Sequence, residues 1–319
     1  MATEWNKISF RLAFSAGLAI LLTALTALVV EADEKADRRG KYLGETEPGM
    51  TPKVFAPGFV STEDGFELNA TFAPEGGRFL FSRRIDNVYK IMEVQKRDGV
   101  WGDPLISPIS RTYPGHADVD MMFTGDSKRL FFISNRPLAG YALSRYNIWH
   151  SDWSDEGWMV PEPLGPHING PKHELYPMIV GDGSLYFTTE RGDSRGGRDI
   201  YRAPAISGEE GKPAFGTPTN VGSGVNSTFN EGDVFVAPDE SYMIFVSNGR
   251  PDGLGGNDLY ISFRTAEGNW GTAVNMGDTI NTPGLDFCPM VTPDGENFFF
   301  SRAGDIYWVD AKIIDTFRP

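Results

Sequence analysis

Five acidic residues recur along the chain at intervals of 51, 56, 57 and 55 residues. Carboxylates brought together can bind a divalent cation through oxygen, and a pair of them can hydrolyse a glycosidic bond. A residue type present in every repeat also suits a structural role that every repeat needs. The five acids are Glu67, Asp118, Glu174, Glu231 and Asp286.

An arginine follows each of these acids 16 to 19 residues later. The planar guanidinium group matches a carboxylate, so acids and arginines that converge are expected to pair. Two interpretations stay open: the pairs join neighbouring repeats, or they form a charged funnel for a ligand or ion. The arginines are Arg83, Arg136, Arg191, Arg250 and Arg302.

A unique site is expected where the repeats differ, which is two residues after each acid. Those positions hold Asn69, Asp120, Tyr176, Asp233 and Cys288. Cys288 is the single cysteine and is expected to be a small buried residue. The ligand-binding residues predicted from these patterns are Glu67, Asp118, Asp120, Glu174, Glu231, Asp233, Asp286, Arg136, Arg191 and Arg250.

The chemistry of that set limits its cofactors. Calcium is the one ion that a ring of carboxylates would favour, and no other cofactor is expected. A hydrolase built on Asp120 and Asp233 would need one carboxyl with a raised pKa, which neighbouring arginines oppose. No residue of the chain is therefore assigned a catalytic or metal-binding role.

The elements that carry these residues repeat in a fixed order. After each acid come an apolar strand, a turn with a second acid, another apolar strand, the arginine and a variable loop. A third strand and an aromatic-led fourth strand follow. The turn acids are Glu75, Asp126, Asp182, Asp239 and Asp294, and the leading aromatics are Trp101, Trp158, Phe215 and Trp270. Four strands in just over fifty residues describe one blade of a β-propeller.

The ends of the chain predict how the propeller closes. The last repeat has three strands, because only 33 residues follow Asp286. The segment from Val54 to Thr62 is expected to supply the missing strand, which removes an open sheet edge. The count is then five blades, with six as the alternative.

The repeats resemble the PD40 (WD40-like Pro-Asp) propeller repeats of bacterial exported proteins, a group that includes TolB-type propellers. The resemblance covers about residues 52–319. It implies a β-propeller but no particular activity. TolB itself is similar to a six-bladed propeller with an extra N-terminal domain, so a Tol-system role is not carried over. The motifs are Ala237-Pro238-Asp239, Thr292-Pro293-Asp294-Gly295, Phe245-Val246-Ser247-Asn248, Gly255-Gly256-Asn257-Asp258-Leu259-Tyr260 and Val225-Asn226-Ser227.

The N-terminus predicts export. Lys7 and Arg11 precede an uncharged apolar run at residues 12–30, which is typical of a signal peptide or an uncleaved membrane anchor. Residues 1–32 are assigned to that segment, 33–51 to a flexible tether and 52–319 to the propeller. The protein is expected in the periplasm or outside the cell, tethered to the inner membrane if residues 12–30 remain.

The composition narrows the partners. The net charge of −14 argues against nucleic acid and against an anionic membrane surface. Membrane contact is expected only through an uncleaved N-terminal segment. The sequence favours a non-catalytic binding or scaffolding propeller of the cell envelope, whose ligand is a protein, peptide or glycan. The alternative is a carbohydrate-active hydrolase that uses a pair of channel-mouth carboxylates.

Overall fold

The computed structural model describes residues 38–138 and 145–319. These form five antiparallel β-sheets. In each sheet the innermost strand is the one that contains or directly follows the repeated acid. The innermost strands contact one another in a closed ring. The chain is therefore a five-bladed β-propeller, as the repeats predict, and the blades are numbered I to V in the order of their innermost strands.

The strands are short, as the frequent turn signals indicate. Their bounds are β1 (Lys53–Val54), β2 (Glu67–Phe72), β3 (Arg78–Ile85), β4 (Val88–Arg97), β5 (Val100–Trp101), β6 (Leu105–Ile106), β7 (Asp118–Phe123), β8 (Arg129–Ser134), β9 (Asn147–Ser154), β10 (Gly157–Trp158), β11 (Glu162–Pro163), β12 (Leu175–Ile179), β13 (Leu185–Thr189), β14 (Asp199–Ala203), β15 (Thr219–Asn220), β16 (Asn230–Val236), β17 (Tyr242–Asn248), β18 (Asp258–Phe263), β19 (Val274–Asn275), β20 (Asp286–Val291), β21 (Asn297–Arg302) and β22 (Asp305–Asp310). The helices are short: α1 (Pro108–Arg111), α2 (Gly277–Ile280) and two 3-10 helices at Tyr42–Gly44 and Ala311–Phe317.

Blade V is completed by the N-terminal strand, which confirms the predicted closure. β1 pairs antiparallel with β22, with Lys53 opposite Trp308. Phe55, fully buried, packs its ring edge-on against Phe299 and Trp308, with centroids 4.9 and 5.1 Å away. Aromatic pairs of this geometry add to the stabilisation from buried area, so both ends of the chain are held in one blade.

A polar side chain fixes the outer segment of each blade to its third strand. In blades II to IV an asparagine amide accepts a hydrogen bond from a backbone N–H of that strand and donates to the same residue's carbonyl; for Asn169 and Ile148 the distances are 2.8 and 3.0 Å. In blade V the hydroxyl of Ser61 accepts from the Ile306 N–H at 3.1 Å. Blade I uses Ser110 on the Ile91 N–H. Ile91 of blade I therefore holds the position of Ile148 and Ile306, within β4, which begins at Val88.

The fourth strands depart from the sequence prediction. In blades III and IV the aromatics Phe215 and Trp270 form isolated bridges, and the fourth strands β15 and β19 begin several residues later. These two aromatics pack against the preceding blade, Phe215 against Phe131 of blade II and Trp270 against Tyr186 of blade III. Only in blades I and II does the leading aromatic of the fourth segment lie within a strand, Trp101 in β5 and Trp158 in β10.

Residues 38–51 differ from the free tether that their composition indicates. Tyr42 and Leu43 are buried, and the Tyr42 hydroxyl donates to Asp294 at 2.8 Å. The ring of Tyr42 also packs edge-on against Phe72 and Trp308. Two apolar residues within a charged segment are enough to fasten it to the propeller. Residues 33–37 and the apolar run at 12–30 lie outside the described residues.

Candidate functional site

The five repeated acids are buried at the start of the inner strands, with at most 1% of each residue exposed. Four of them form an ion pair with the arginine of the same blade. The N–O distances are 2.7 Å for Glu67–Arg83, 2.9 Å for Asp118–Arg136, 3.0 Å for Glu231–Arg250 and 2.6 Å for Asp286–Arg302.

Each of these pairs also bonds to the preceding blade. The Arg136 guanidinium donates to the Ile109 carbonyl at 2.8 Å, and that of Arg302 donates to the Ile280 carbonyl at 2.6 Å. The backbone N–H of Glu231 donates to the carbonyl of Arg198, in the loop that precedes the third strand of blade III, at 2.9 Å. A charge pair that is buried and hydrogen-bonded on both sides holds two blades in register, and removing one partner leaves an uncompensated charge.

A hydroxyl group caps each of the same four carboxylates. Thr62, Ser110, Ser227 and Thr282 supply it to Glu67, Asp118, Glu231 and Asp286. Each of these four repeated carboxylates therefore accepts from at least two side-chain donors. The repeated acids are arranged for inter-blade contact, and little of their surface faces the channel.

Glu174 in blade III lacks both partners. Gly170 stands where blades I, IV and V have Thr62, Ser227 and Thr282, and no ion pair joins Glu174 to Arg191. Oε1 of Glu174 accepts from the Thr189 hydroxyl at 3.2 Å, but Oε2 is buried without a hydrogen-bond partner among the described residues. Burial raises the pKa of this carboxyl to about 7.

The positions two residues after the acids share a left-handed backbone. Their φ angles are 50°, 54°, 51°, 41° and 54° for Asn69, Asp120, Tyr176, Asp233 and Cys288. A break in strand register occurs at each of them, which identifies a β-bulge. A bulge re-aims one side chain, so these five residues gather around the channel axis.

Tyr176 crosses the channel at this level. Its hydroxyl accepts from Asn69 Nδ2 at 3.2 Å and donates to the Pro289 carbonyl at 3.1 Å. Blade III is thereby connected to blades I and V. The side chain is 2% exposed and separates the acid-bearing mouth from the opposite mouth.

Asp120 and Asp233 face each other's charge in the same layer. Burial raises the pKa of Asp120 well above its ordinary value, and the Asp233 charge raises it further. Burial also raises the pKa of Asp233, but Arg198 and the Cys288 N–H, at 3.4 Å, oppose that shift. Asp120 has no hydrogen bond to any described residue. Asp120 is therefore the carboxyl of this pair that binds a proton more readily.

Aromatic residues border this acid pair at the mouth. Tyr89 and Tyr146 are each half-buried, and the charge of Asp120 contributes to the raised pKa of both. Phe66 packs edge-on against Tyr89 with ring centroids 6.2 Å apart. The mouth thus combines carboxyl groups at its floor with aromatic rings at its rim.

The opposite mouth is apolar, and sequence reasoning missed it. A cavity of about 310 Å³ lies there, lined by residues from all five inner strands. The signal was available, because the fourth or fifth residue after each acid is apolar. These residues are Phe72, Met122, Met178, Phe235 and Met290.

Neither a metal-binding cluster nor a membrane-spanning helix is found among the described residues. No group of three or more His, Cys, Asp or Glu residues within 38–138 and 145–319 is placed to hold a metal ion. No helix in those ranges has the length and apolar character needed to cross a membrane.

Comparison with solved structures agrees with the fold. A structure described as a glycoside hydrolase aligns with a TM-score of 0.50 at 12% identity, covering 85% of this chain and 93% of that one. TolB from Acinetobacter baumannii gives a TM-score of 0.46 at 14% identity over 76% of this chain. This chain matches 53% of the length of that TolB.

A gluconolactonase from Xanthomonas campestris, XC5397, gives a TM-score of 0.43 at 11% identity, with 83% of this chain and 97% of that one covered. No family model matches the sequence, and no curated protein matches it. At these identities the likeness concerns the propeller fold alone.

Proposed function

We propose that this chain is an exported, TolB-like binding propeller of the cell envelope, which recognises a protein or peptide ligand at the acid-bearing mouth of its channel. The observation that carries the proposal is that the acids occupy two different kinds of position. Four of the five repeated carboxylates are occupied between blades, whereas Asp120 and Asp233, at positions that differ between blades, face the channel. Residues that vary on a rigid scaffold are where recognition is expected.

The chemistry of the mouth favours a basic side chain as the inserted group. Asp233 carries negative charge, and a cation beside it also favours release of the Asp120 proton. The rings of Tyr89, Tyr146 and Phe66 provide faces that attract a cation. The repeated acids and three of the arginines frame this mouth. They are Glu67, Asp118, Glu174, Glu231 and Asp286, with Arg136, Arg191 and Arg250.

The test is a thermal-shift titration with two matched probes, acetyl-Ala-Lys-Ala-amide and acetyl-Ala-Leu-Ala-amide. A ligand that binds only the folded state raises the melting temperature. We expect the lysine peptide alone to do so, and Asp233→Asn to abolish the shift. The variant Asp155→Asn, which removes an exposed carboxylate in the turn between β9 and β10, serves as the control. Equal shifts with both peptides, or none with either, would contradict the proposal.

The second candidate function is carbohydrate hydrolysis by the same two carboxyl groups. Its support is the unequal pKa of the two carboxyls: burial raises the pKa of Asp120 well above its ordinary value, whereas Arg198 opposes the rise at Asp233. Such a difference lets one group act as acid and the other as base or nucleophile. Release of nitrophenol from p-nitrophenyl glycosides between pH 5 and 7, lost in Asp120→Asn, would establish it. Absence of turnover with bound lysine peptide would favour the binding module.

A further inference from the structure

Blade III departs from the other four blades at two positions that act on one carboxyl. Thr62, Ser227 and Thr282 each place a hydroxyl on the acid that follows them. The corresponding residue in blade III is Gly170, four residues before Glu174, and it has no hydroxyl to give. The Glu174 carboxyl therefore has no hydroxyl partner at this position, because residue 170 is a glycine.

The second missing partner is the arginine. The terminal nitrogen of Arg191 donates to the carbonyls of His167 and Ile168 at 3.3 and 3.0 Å, so it holds blade II as its counterparts hold theirs. Its Nε is buried and has no hydrogen-bond partner among the described residues. Glu174 Oε2 is in the same condition, although Glu174 is 1% exposed. Blade III thus holds one acceptor and one donor without a hydrogen-bond partner, as blade II also does at Asp118 Oδ1 and Arg136 Nε, but in blade III both residues line a cavity.

A cavity of about 610 Å³ opens beside these two side chains. Its wall consists of Gly170, Pro171, Gly192 and Pro218 together with charged residues. Most of those charges are matched. Lys172 pairs with Glu190 at 2.6 Å, and Asp193 accepts a hydrogen bond from the Tyr201 hydroxyl at 2.8 Å. The volume lies within the range of small-molecule binding sites.

We propose that this cavity binds a neutral hydroxyl-bearing ligand, a saccharide, through a hydroxyl that donates to Glu174 Oε2 and accepts from Arg191 Nε. A hydroxyl group is both a donor and an acceptor, so one group satisfies both unpaired atoms. A cation would be repelled by Arg191 and Lys172, and an anion by Glu190 and Asp193. The site uses Glu174 and Arg191 of blade III rather than Asp120 and Asp233, and it goes beyond the proposed function.

The protonation of Glu174 is compatible with such a ligand. Its pKa of about 7 means that both forms are present at neutral pH. The ionised carboxylate accepts from a hydroxyl, and the protonated carboxyl donates to one. A neutral ligand is therefore held in either form, whereas a charged ligand would favour only one of them.

The experiment restores the missing hydroxyl. Gly170 lines the cavity, and a Cβ on it would lie 3.3 Å from Glu174 Oε1, so a serine at this position both reaches the carboxyl and takes up part of the ligand's space. Gly170 has no left-handed φ, so its backbone accepts a side chain. Saturation-transfer NMR would be recorded with galactose, cellobiose and N-acetylglucosamine on the wild type, Gly170→Ser and Gly115→Ser. The last variant is the control, because nothing lies within 4 Å of a Cβ at Gly115.

We expect at least one of the sugars to bind the wild type and the Gly115→Ser variant. Gly170→Ser should weaken that binding at least tenfold and should melt at or above the wild-type temperature, which excludes unfolding as the cause. No binding of any of the three sugars, or equal binding by Gly170→Ser, would overturn the proposal and leave the cavity to water. Sugar binding lost in Asp120→Asn but kept in Gly170→Ser would place the ligand in the channel and also overturn it.

Discussion

Blades II and III each contain the repeated acid and the repeated arginine, yet only in blade II do the two residues form an ion pair. Asp118 and Arg136 are at most 1% exposed in their side chains and lie 2.9 Å apart, with a serine hydroxyl on the carboxylate. Glu174 and Arg191 have no such contact, and the glutamate pKa is raised to about 7. The difference teaches that a repeated residue type does not guarantee a repeated interaction. The hydroxyl before the acid and the placement of the guanidinium decide the outcome.

The largest loss of stability is expected when the strand that closes blade V is removed. Deleting residues 52–62 takes away β1, Phe55 and the Thr62 hydroxyl that caps Glu67. Loss of a buried phenylalanine alone costs about 3–5 kcal/mol, so the melting temperature should fall by more than ~10 °C. Differential scanning calorimetry measures this fall, and deletion of the exposed residues 207–210 is the control. An unchanged melting temperature in the first deletion would contradict the role of β1 in closing the ring.

The next effect is expected at the most buried pair. Asp118→Asn leaves the Arg136 charge without its counter-ion, and the free energy of unfolding at pH 7 should decrease by about 3–5 kcal/mol. Glu231→Gln should lower it by less, because the side chain of Arg250 is 13% exposed and water offsets part of the loss. Urea unfolding gives both values. A larger loss for Glu231→Gln than for Asp118→Asn would mean that burial does not set the strength of these junctions.

The contribution of Glu174 in blade III to stability should decrease as the pH rises. The pKa of Glu174 is about 7 in the folded protein, against an ordinary value of 4.5, so the folded state holds the proton more tightly. Its stabilising contribution is full below pH 4.5 and disappears as the pH rises through 7. Between pH 5 and pH 8 the wild type should lose about 2–3 kcal/mol that Glu174→Gln does not lose. Urea unfolding of both proteins at the two pH values checks this difference, and parallel losses would contradict it.

The fold was predictable because its signals are local and repeated. The acid intervals, the Pro-Asp turns and the missing last strand identified four-stranded blades and their closure by Val54–Thr62. The tether was misjudged from residue 38 onward, because average composition hides single apolar residues such as Tyr42 and Leu43. Contacts made by one or two side chains do not appear in a window of charge and hydrophobicity.

The candidate site was predictable in its residue types but not in its geometry. The variable positions after the acids were identified, yet only the bulges direct Asp120 and Asp233 to the channel. The Glu174 exception had a readable signal, since Gly170 replaces the Ser or Thr of blades I, IV and V. Whether Arg191 reaches Glu174 depends on the course of a variable loop, which the repeat pattern does not define.

The closure of blade V by both ends of the chain has a consequence for synthesis. Blades I to IV are complete in the growing polypeptide once residue 275 has been made, but β1 has no partner until β22 emerges. At about 5–20 residues per second, the first strand waits roughly 10–50 seconds while the next four sheets and β22 are translated. The ring closes only after nearly the whole chain has left the ribosome. Until then its N-terminal segment stays unpaired and accessible to any factor that binds nascent chains.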